Sequence, residues 1–326
     1  MFLLSDSSIA DSHDVSLALM RPESSQAGLP VGVIGLGSMG MGVARSLLRA
    51  GLLVSGYDVR PEARRQFEEL GGVAASCPGE AGRRARAVVI LVVNAEQTEE
   101  VIFGAGGLAE SMEPGSVIVT SSTVPPAFAA DLGRRIENAG LLNIDAPVSG
   151  GVKKAAEGQL TVMASGPPAA FERCAPLFEA IAGKLYRLGE KPGQGSTVKM
   201  INQLLAGVHI AAAAEAMALG IKAGADPAML FEVIGNSAGS SWMFQNRVPH
   251  ILAGDYTPLS AVNIFVKDLG LVLDSSRKLS FPLPLTATAH QIFLAAAAAG
   301  HGGEDDSAVI KMYPGIELPK DRREER

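Results

Sequence analysis

Lys199 is the residue with the most chemistry in reach. It stands in the opening turns of a long alanine-rich stretch, behind the Gly-x-Gly turn of Gly193 and Gly195, and Asn202 and Gln203 follow it at i+3 and i+4. At that spacing in a helix the three side chains share one face. No carboxylate neighbours Lys199 in sequence. An ammonium near a helix N-terminus and partly withdrawn from water has its pKa pushed down from about 10.4, which suits a lysine to acid or base work near neutrality. The two amides could hold substrate oxygens without adding charge. On spacing alone, an exposed surface lysine on a long helix fits equally well.

A second group of residues is suited to a phosphate. Gly35, Gly37 and Gly40, with Leu36, Ser38 and Met39 between them, form a GLGSMG turn. A β-branched run (Val31, Val33, Ile34) precedes it, and Val43, Leu47 and Leu48 follow at helical spacing up to Gly51. The three glycines serve a tight turn, close backbone approach to a pyrophosphate and close helix–strand packing. An ordinary βα turn could carry the same glycines. The strand before, the helix after and Asp58 at the end of the next strand favour a dinucleotide site. A carboxylate there accepts ribose hydroxyls and repels a 2′-phosphate, so Asp58 points to NAD rather than NADP. Arg60, two residues on, is the kind of residue that accommodates a 2′-phosphate, but the carboxylate holds the strand end itself.

The elements that must position these groups alternate regularly. Strand patterns at residues 31–34, 52–57, 73–76, 87–93, 117–120 and 142–145 are separated by helical patterns at residues 61–70, 96–103 and 127–139. The apolar run 87–93 has the character of a strand buried on both faces of a parallel sheet. The fold class is therefore α/β, an N-terminal Rossmann doubly wound sheet. Two further strand-like segments, 160–164 and 184–188, flank a helix at 169–181. In such sheets ligands bind outside the carboxyl ends of the strands. That rim carries Asn94, Ser121 to Thr123, and Ser149, Gly150 and Gly151. Past Gly193 strand patterns vanish. Residues 196–223 form one long helix of roughly 40 Å, and helices follow at 228–234, 242–252, 264–279, 283–299 and 305–312. The domain plan is a loose N-terminal extension over 1–29, a cofactor domain over 30–192, an all-α substrate and oligomerisation domain over 193–315, and a charged tail over 316–326, with the long helix joining the two domains.

Composition narrows the function classes. The 326 residues are 47% hydrophobic and 19% charged with net charge −6, and no basic block occurs before the terminal segment 320–326. Nucleic acid and anionic membrane are poor partners for such a chain. Cys77 and Cys174 lie far apart, and the five histidines share no metal-ligand spacing, so no metal is expected. The first 29 residues lack the basic and apolar regions of a signal peptide. The longest apolar stretches are interrupted by charges, so no membrane span is expected and the cytoplasm is the expected compartment. Lys153 and Lys154 read as a solvated pair, Trp242 and Phe244 as core or interface anchors, and His209 as structural.

Four stretches in order resemble the β-hydroxyacid dehydrogenase family: GLGSMG at Gly35 to Gly40, DAPVSGG at Asp145 to Gly151, GQGSTVKMINQ at Gly193 to Gln203, and FVKDL at Phe265 to Leu269. The resemblance implies a hydroxyacid dehydrogenase with NAD as cofactor and a small hydroxyacid as substrate. VVNAEQ, LTVMASG, AGSSWMFQNR and GEDDSAVIK resemble the members acting on four-carbon sugar acids. By this resemblance Lys199 is the acid/base, and Ser149, Gly150 and Gly151 hold the substrate carboxylate. Asn202 and Gln203 position the reacting hydroxyl and its neighbour. Val93, Asn94 and Thr123 flank the nicotinamide end, and Lys267 closes over the cofactor. Members often carry two asparagines after the lysine, whereas this chain has Asn202 then Gln203. Same-fold alternatives are 3-hydroxyisobutyrate dehydrogenase and tartronate semialdehyde reductase, with the segment 240–246 expected to be polar for a tetronate. Family members without the lysine serve as imine reducers or as interaction modules, and Lys199 argues against both. A homodimer or homotetramer through the helices is expected.

Overall fold

The structure, a computed structural model, describes residues 28–319; the expected extension up to residue 27 and the tail from residue 320 lie outside the described residues. The first half runs β1 (Pro30–Ile34), α1 (Ser38–Arg49), β2 (Leu53–Tyr57), α2 (Pro61–Glu69), β3 (Val73–Ala74), α3 (Pro78–Gly82) and β4 (Ala87–Ile90). It continues with α4 (Ala95–Phe103), α5 (Leu108–Ser111), β5 (Val117–Thr120), α6 (Pro126–Asn138) and β6 (Leu142–Asp145). These six strands form one parallel sheet in the order β3-β2-β1-β4-β5-β6. The order reverses between β1 and β4, which opens a crevice at their carboxyl ends. Every residue of β4 and β5 is buried, as a central strand covered on both faces requires. One apolar cluster fills the α1 and α2 face with Val33, Val43, Leu47 and Phe67, and another fills the opposite face with Ile90, Ile102, Ile118 and Leu132.

The strand expected over 87–93 ends at Ile90. Leu91 donates its N–H to the Ile34 carbonyl, and Val93 is already 52% exposed. The chain has passed the sheet edge and turns there to start α4, which Asn94 caps. The later strand segments do not extend the main sheet either. With β7 (Val148–Ser149), α7 (Gly151–Glu157), β8 (Leu160–Ala164), α8 (Pro168–Arg173), α9 (Ala175–Ile181) and β9 (Ala182–Arg187), they form a separate three-stranded sheet ordered β7-β8-β9. The helix expected over 169–181 breaks at Cys174, where Pro176 restarts it as α9. Paired backbone hydrogen bonds between Asp145 and Ser165 tie the two sheets together.

The second half is helical: α10 (Gln194–Lys222), α11 (Pro227–Gly235), α12 (Trp242–Ala253), α13 (Val262–Lys278) and α14 (Pro284–Ala296). The helix expected over 283–299 runs as α14 to Ala296 and then widens into a single turn over 297–301, within which Gly300 sits at φ 93°. Residues 306–312 form a tight 3-10 turn capped by Asp305. The domain core gathers Ile210, Ala214 and Met217 of α10 around Phe244, Phe265, Leu269 and Phe293. Arg247 and Asp306 make a buried ion pair that clips the 3-10 turn to α12. Phe244 is buried and stacks on Phe231 at 5.9 Å. Trp242, by contrast, is 57% exposed, so it is no core anchor within one chain. Helix α10 bears on the membrane expectation without overturning it. It is long and apolar enough, at mean hydropathy 1.8, to cross a bilayer by length and composition. Its apolarity is that of a hub: the other helices pack around it on one side and β8 and α6 meet its first turns.

Candidate active site

The glycine turn positions the N-terminus of α1 at the reversal point of the sheet. A Cβ on Gly40 would stand 1.8 Å from the Gly35 carbonyl oxygen, so only glycine lets α1 pack this closely. At Gly37 the nearest atom to an added Cβ is Arg60 Nη2, at 3.9 Å. The protein leaves that space open, and a ligand backbone can enter it. Gly37 caps α1 without a side chain, and no acidic residue occupies the first turn. The unpaired N–H groups and positive helix end are free to take an anion. Ser38 is exposed and Met39 half-buried on this rim. The cradle fits the pyrophosphate of a dinucleotide.

Asp58 lies beside it, 8% exposed. Its Oδ2 accepts from Leu36 N–H at 2.8 Å, and its Oδ1 accepts from Arg60 N–H at 2.9 Å and Arg60 Nε at 3.0 Å. Burial opposes ionisation, but the Arg60 bonds and charge outweigh it and hold the carboxyl below its usual range. The strand-end carboxylate is thus ionised, and it also fixes the turn by gripping Leu36.

The second cluster forms where α10 meets the rim. Asp145, at the end of β6, accepts at Oδ2 from the N–H groups of Gly193 and Ser196, both at 2.8 Å, and at Oδ1 from the Ser196 hydroxyl at 2.7 Å. A carboxylate at this N-terminus satisfies donors that no helix can satisfy internally. One turn on, Lys199 Nζ donates to Gln203 Oε1 at 2.7 Å, and Asn202 Nδ2 donates to the same oxygen at 3.0 Å. Gln203 Nε2 donates to Asp268 Oδ2 at 2.6 Å. Asp268 Oδ1 faces Lys267 Nζ at 2.7 Å, and Lys267 Nζ also donates to the Thr123 carbonyl at 3.3 Å. This line of contacts runs from α10 through α13 to the rim after β5. Lys199 is only 8% exposed, and burial, aided by the charge of Lys267 and opposed by that of Asp268, pushes its amine down to about 8.

The structure thus brings Lys199, Asn202, Gln203, Lys267 and Thr123 into one connected group, and Gly35, Gly37, Gly40 and Asp58 into another. Ser149, Gly150 and Gly151 sit at the edge of β7, with both glycines at positive φ. No side-chain hydrogen bond among the described residues joins them to Lys199. Asn94 spends its side-chain oxygen on the Gln97 N–H at 2.8 Å, and Val93 N–H donates to Gln97 Oε1. Segment 240–246 mixes Ser240, Ser241, Gln245 and Asn246 with apolar Trp242, Met243 and Phe244, and its hydrogen bonds stay local: Ser241 caps α12, and Gln245 reaches Gly235 and Ser240. Asp145 and Asp268 lie inside the DAPVSGG and FVKDL motifs, but neither was expected to act in the site. Asp268 directly follows Lys267 and shares a helix face with apolar Phe265 and Val272. A lone acid on such a face is a detectable signal.

Residues 30–189 match the NAD binding domain of 6-phosphogluconate dehydrogenase. Residues 193–313 match the NAD-binding domain of NADP-dependent 3-hydroxyisobutyrate dehydrogenase. L-threonate dehydrogenase of Cupriavidus necator is 63% identical over 289 residues, covering 89% of this chain and 97% of that one. L-threonate dehydrogenase of Escherichia coli K12 is 53% identical over 290 residues, covering 89% and 96%. The crystal structure of a 3-hydroxyisobutyrate dehydrogenase from Salmonella typhimurium, 53% identical, superposes with a TM-score of 0.83 over 87% of this chain and all of that one.

Proposed function

The chain belongs to the β-hydroxyacid dehydrogenase family and is a nicotinamide-dependent oxidoreductase, and on that premise we propose that it oxidises the 2-hydroxyl of L-threonate to the 2-oxo acid, with NAD as cofactor. The observation that carries the chemistry is the buried Lys199 amine, lowered to about 8 and oriented by Gln203. The choice of substrate is supported by the two L-threonate dehydrogenases at 63% and 53% identity. NAD is favoured over NADP by Asp58.

Bound on the glycine turn, the dinucleotide supplies the hydride acceptor. The N-terminus of α1 would take its phosphates, and Lys267, Thr123, Val93 and Asn94 would hold its nicotinamide end. Ser149 and the N–H groups of Gly150 and Gly151 hold the substrate carboxylate. Lys199, as the neutral amine, takes the hydroxyl proton as the carbon–hydrogen bond breaks, and the resulting ammonium later returns that proton to water. Gln203 has both ends engaged, by Lys199 and by Asp268, so it orients the base. Asn202 has its oxygen available for the neighbouring hydroxyl. The reading is tested with a panel of four-carbon sugar acids, 3-hydroxyisobutyrate and tartronate semialdehyde, assayed with NAD and NADP. L-threonate with NAD should give the highest kcat/KM. A higher value for 3-hydroxyisobutyrate would replace the tetronate assignment.

The same reading includes a homo-oligomer. Val198, Ile201 and Leu205 form an exposed apolar stripe on α10, and Met229 and Val233 expose another on α11. A second copy packed through these helices would cover both.

A further inference from the structure

Strands β4 and β5 pair as far as Ile90 and Thr120, and the Ser121 N–H, donated to the Ile90 carbonyl, is the last backbone bond between them. The segments that follow, 91–94 after β4 and 122–123 after β5, are linked through side chains instead. Thr98, at the end of the first turn of α4, places Oγ1 2.7 Å from the Asn94 carbonyl oxygen and 3.1 Å from Ser122 Oγ. A threonine hydroxyl has one proton, and a carbonyl can only accept. Thr98 therefore donates to Asn94, and Ser122 donates to Thr98. Both residues are buried, at 0% and 4% exposure. From the other side, Lys267 donates to the carbonyl of Thr123, the next residue along. The Ser122–Thr123 step is thus held from α4 and from α13. A threonine that returns its hydroxyl to the carbonyl four residues back is ordinary in a helix, and valine would fill the same space. Stability does not call for the pair, because replacing both partners of a buried hydrogen bond by apolar groups of like shape is nearly neutral. What two apolar side chains lack is direction, which a satisfied buried network supplies.

We propose that Thr98 and Ser122 are positioning residues: their two hydroxyls lock the loop after β4 to the loop after β5 and so fix Asn94 and Thr123 around the nicotinamide ring. This rests on the dinucleotide reading and extends it to a fully buried residue of α4 that no ligand can reach. Removing the Thr98 hydroxyl breaks both contacts at once, and the Ser122 hydroxyl is left buried with no partner among those it has here. Removing both hydroxyls relieves that cost but leaves the two loops unlocked.

The test is calorimetric titration of the full chain with NADH and with ADP-ribose, which has no nicotinamide. In Thr98→Val, NADH should bind about fivefold more weakly, while ADP-ribose stays within about twofold of its affinity for the unmodified chain. Thr98→Ser keeps the hydroxyl and should restore NADH binding. Ser122→Ala should reproduce the NADH loss, and the double variant with Thr98→Val should lose no more than either single one. That double variant should also unfold in denaturant close to the unmodified midpoint, which separates position from stability. A NADH to ADP-ribose affinity ratio in Thr98→Val within about twofold of the unmodified chain overturns the proposal, and so do losses that multiply in the double variant. Failure of the unmodified chain to bind either ligand overturns the dinucleotide reading itself, and this proposal with it.

Discussion

A neutral amine must exist before Lys199 can accept a proton. With the amine at about 8, kcat/KM for oxidation should rise with pH through about 8 and level off above it. Lys199→Ala should lower kcat by roughly 10² to 10⁴ and flatten that rise, leaving NAD affinity unchanged. A variant that keeps most of its kcat and its pH profile would remove the lysine from the chemistry. Asp268 bears on the same group, because its negative charge raises the Lys199 pKa against the burial that lowers it. Asp268→Asn keeps an oxygen for Gln203 but removes the charge. The rise of kcat/KM should therefore move to lower pH in that variant, and an unmoved or upward-moved profile would contradict the coupling.

Helix α10 is the element on which the site depends, and Asp145 is what holds its end. Besides the Gly193 and Ser196 donors, the Ser165 hydroxyl donates to Oδ2 at 3.4 Å and itself accepts from the Gly195 N–H at 3.0 Å. Burial pushes the Asp145 carboxyl up while these donors pull it down. Asp145→Ala would leave two buried backbone N–H groups unpaired, at about 1–3 kcal/mol each. A loss of about 3 kcal/mol in denaturant unfolding is expected, with Lys199 displaced from Gln203 as the first turn loosens. Asp145→Ala unfolding at an unchanged midpoint would show that other contacts anchor the helix.

At the scale of the whole molecule, the second half carries more apolar surface than one chain covers. Helix α11 has no fully buried residue although most of its side chains are apolar. Leu219 is 70% exposed on α10 and Leu285 is 72% exposed on α14. Such faces mark contact sites. Sedimentation should find a dimer or tetramer at micromolar concentration, and charged substitutions at Ile201 and Leu205 together should dissociate it. A stable monomer would refute the assembly, and Trp242 would then have no partner.

The sequence by itself determined the elements and their kind. Helical periodicity over α10, the all-apolar β4, the β-branched β5 and the glycine turn with Asp58 depend on local spacing, and local spacing is what a one-dimensional pattern records. Strand ends were less legible: the run to Val93 continues in composition past the point where the sheet stops at Ile90. The split into two sheets was not legible at all, since it depends on which strands pair, and pairing is a long-range property. The same limit applied within the site. Lys199 and its amides were visible because they are helix neighbours. The carboxylate that balances Lys199 lies 69 positions away by number, at Asp268, joined to it only through Gln203. Asp145 meets Ser196 across |i−j| = 51 in the same way. Burial of the amine, which lowers its pKa, and the acids that answer it were decided only when α10, α13 and the sheet rim packed together. Desolvation and Coulomb attraction act through space, and the chain order does not record which distant groups that space contains.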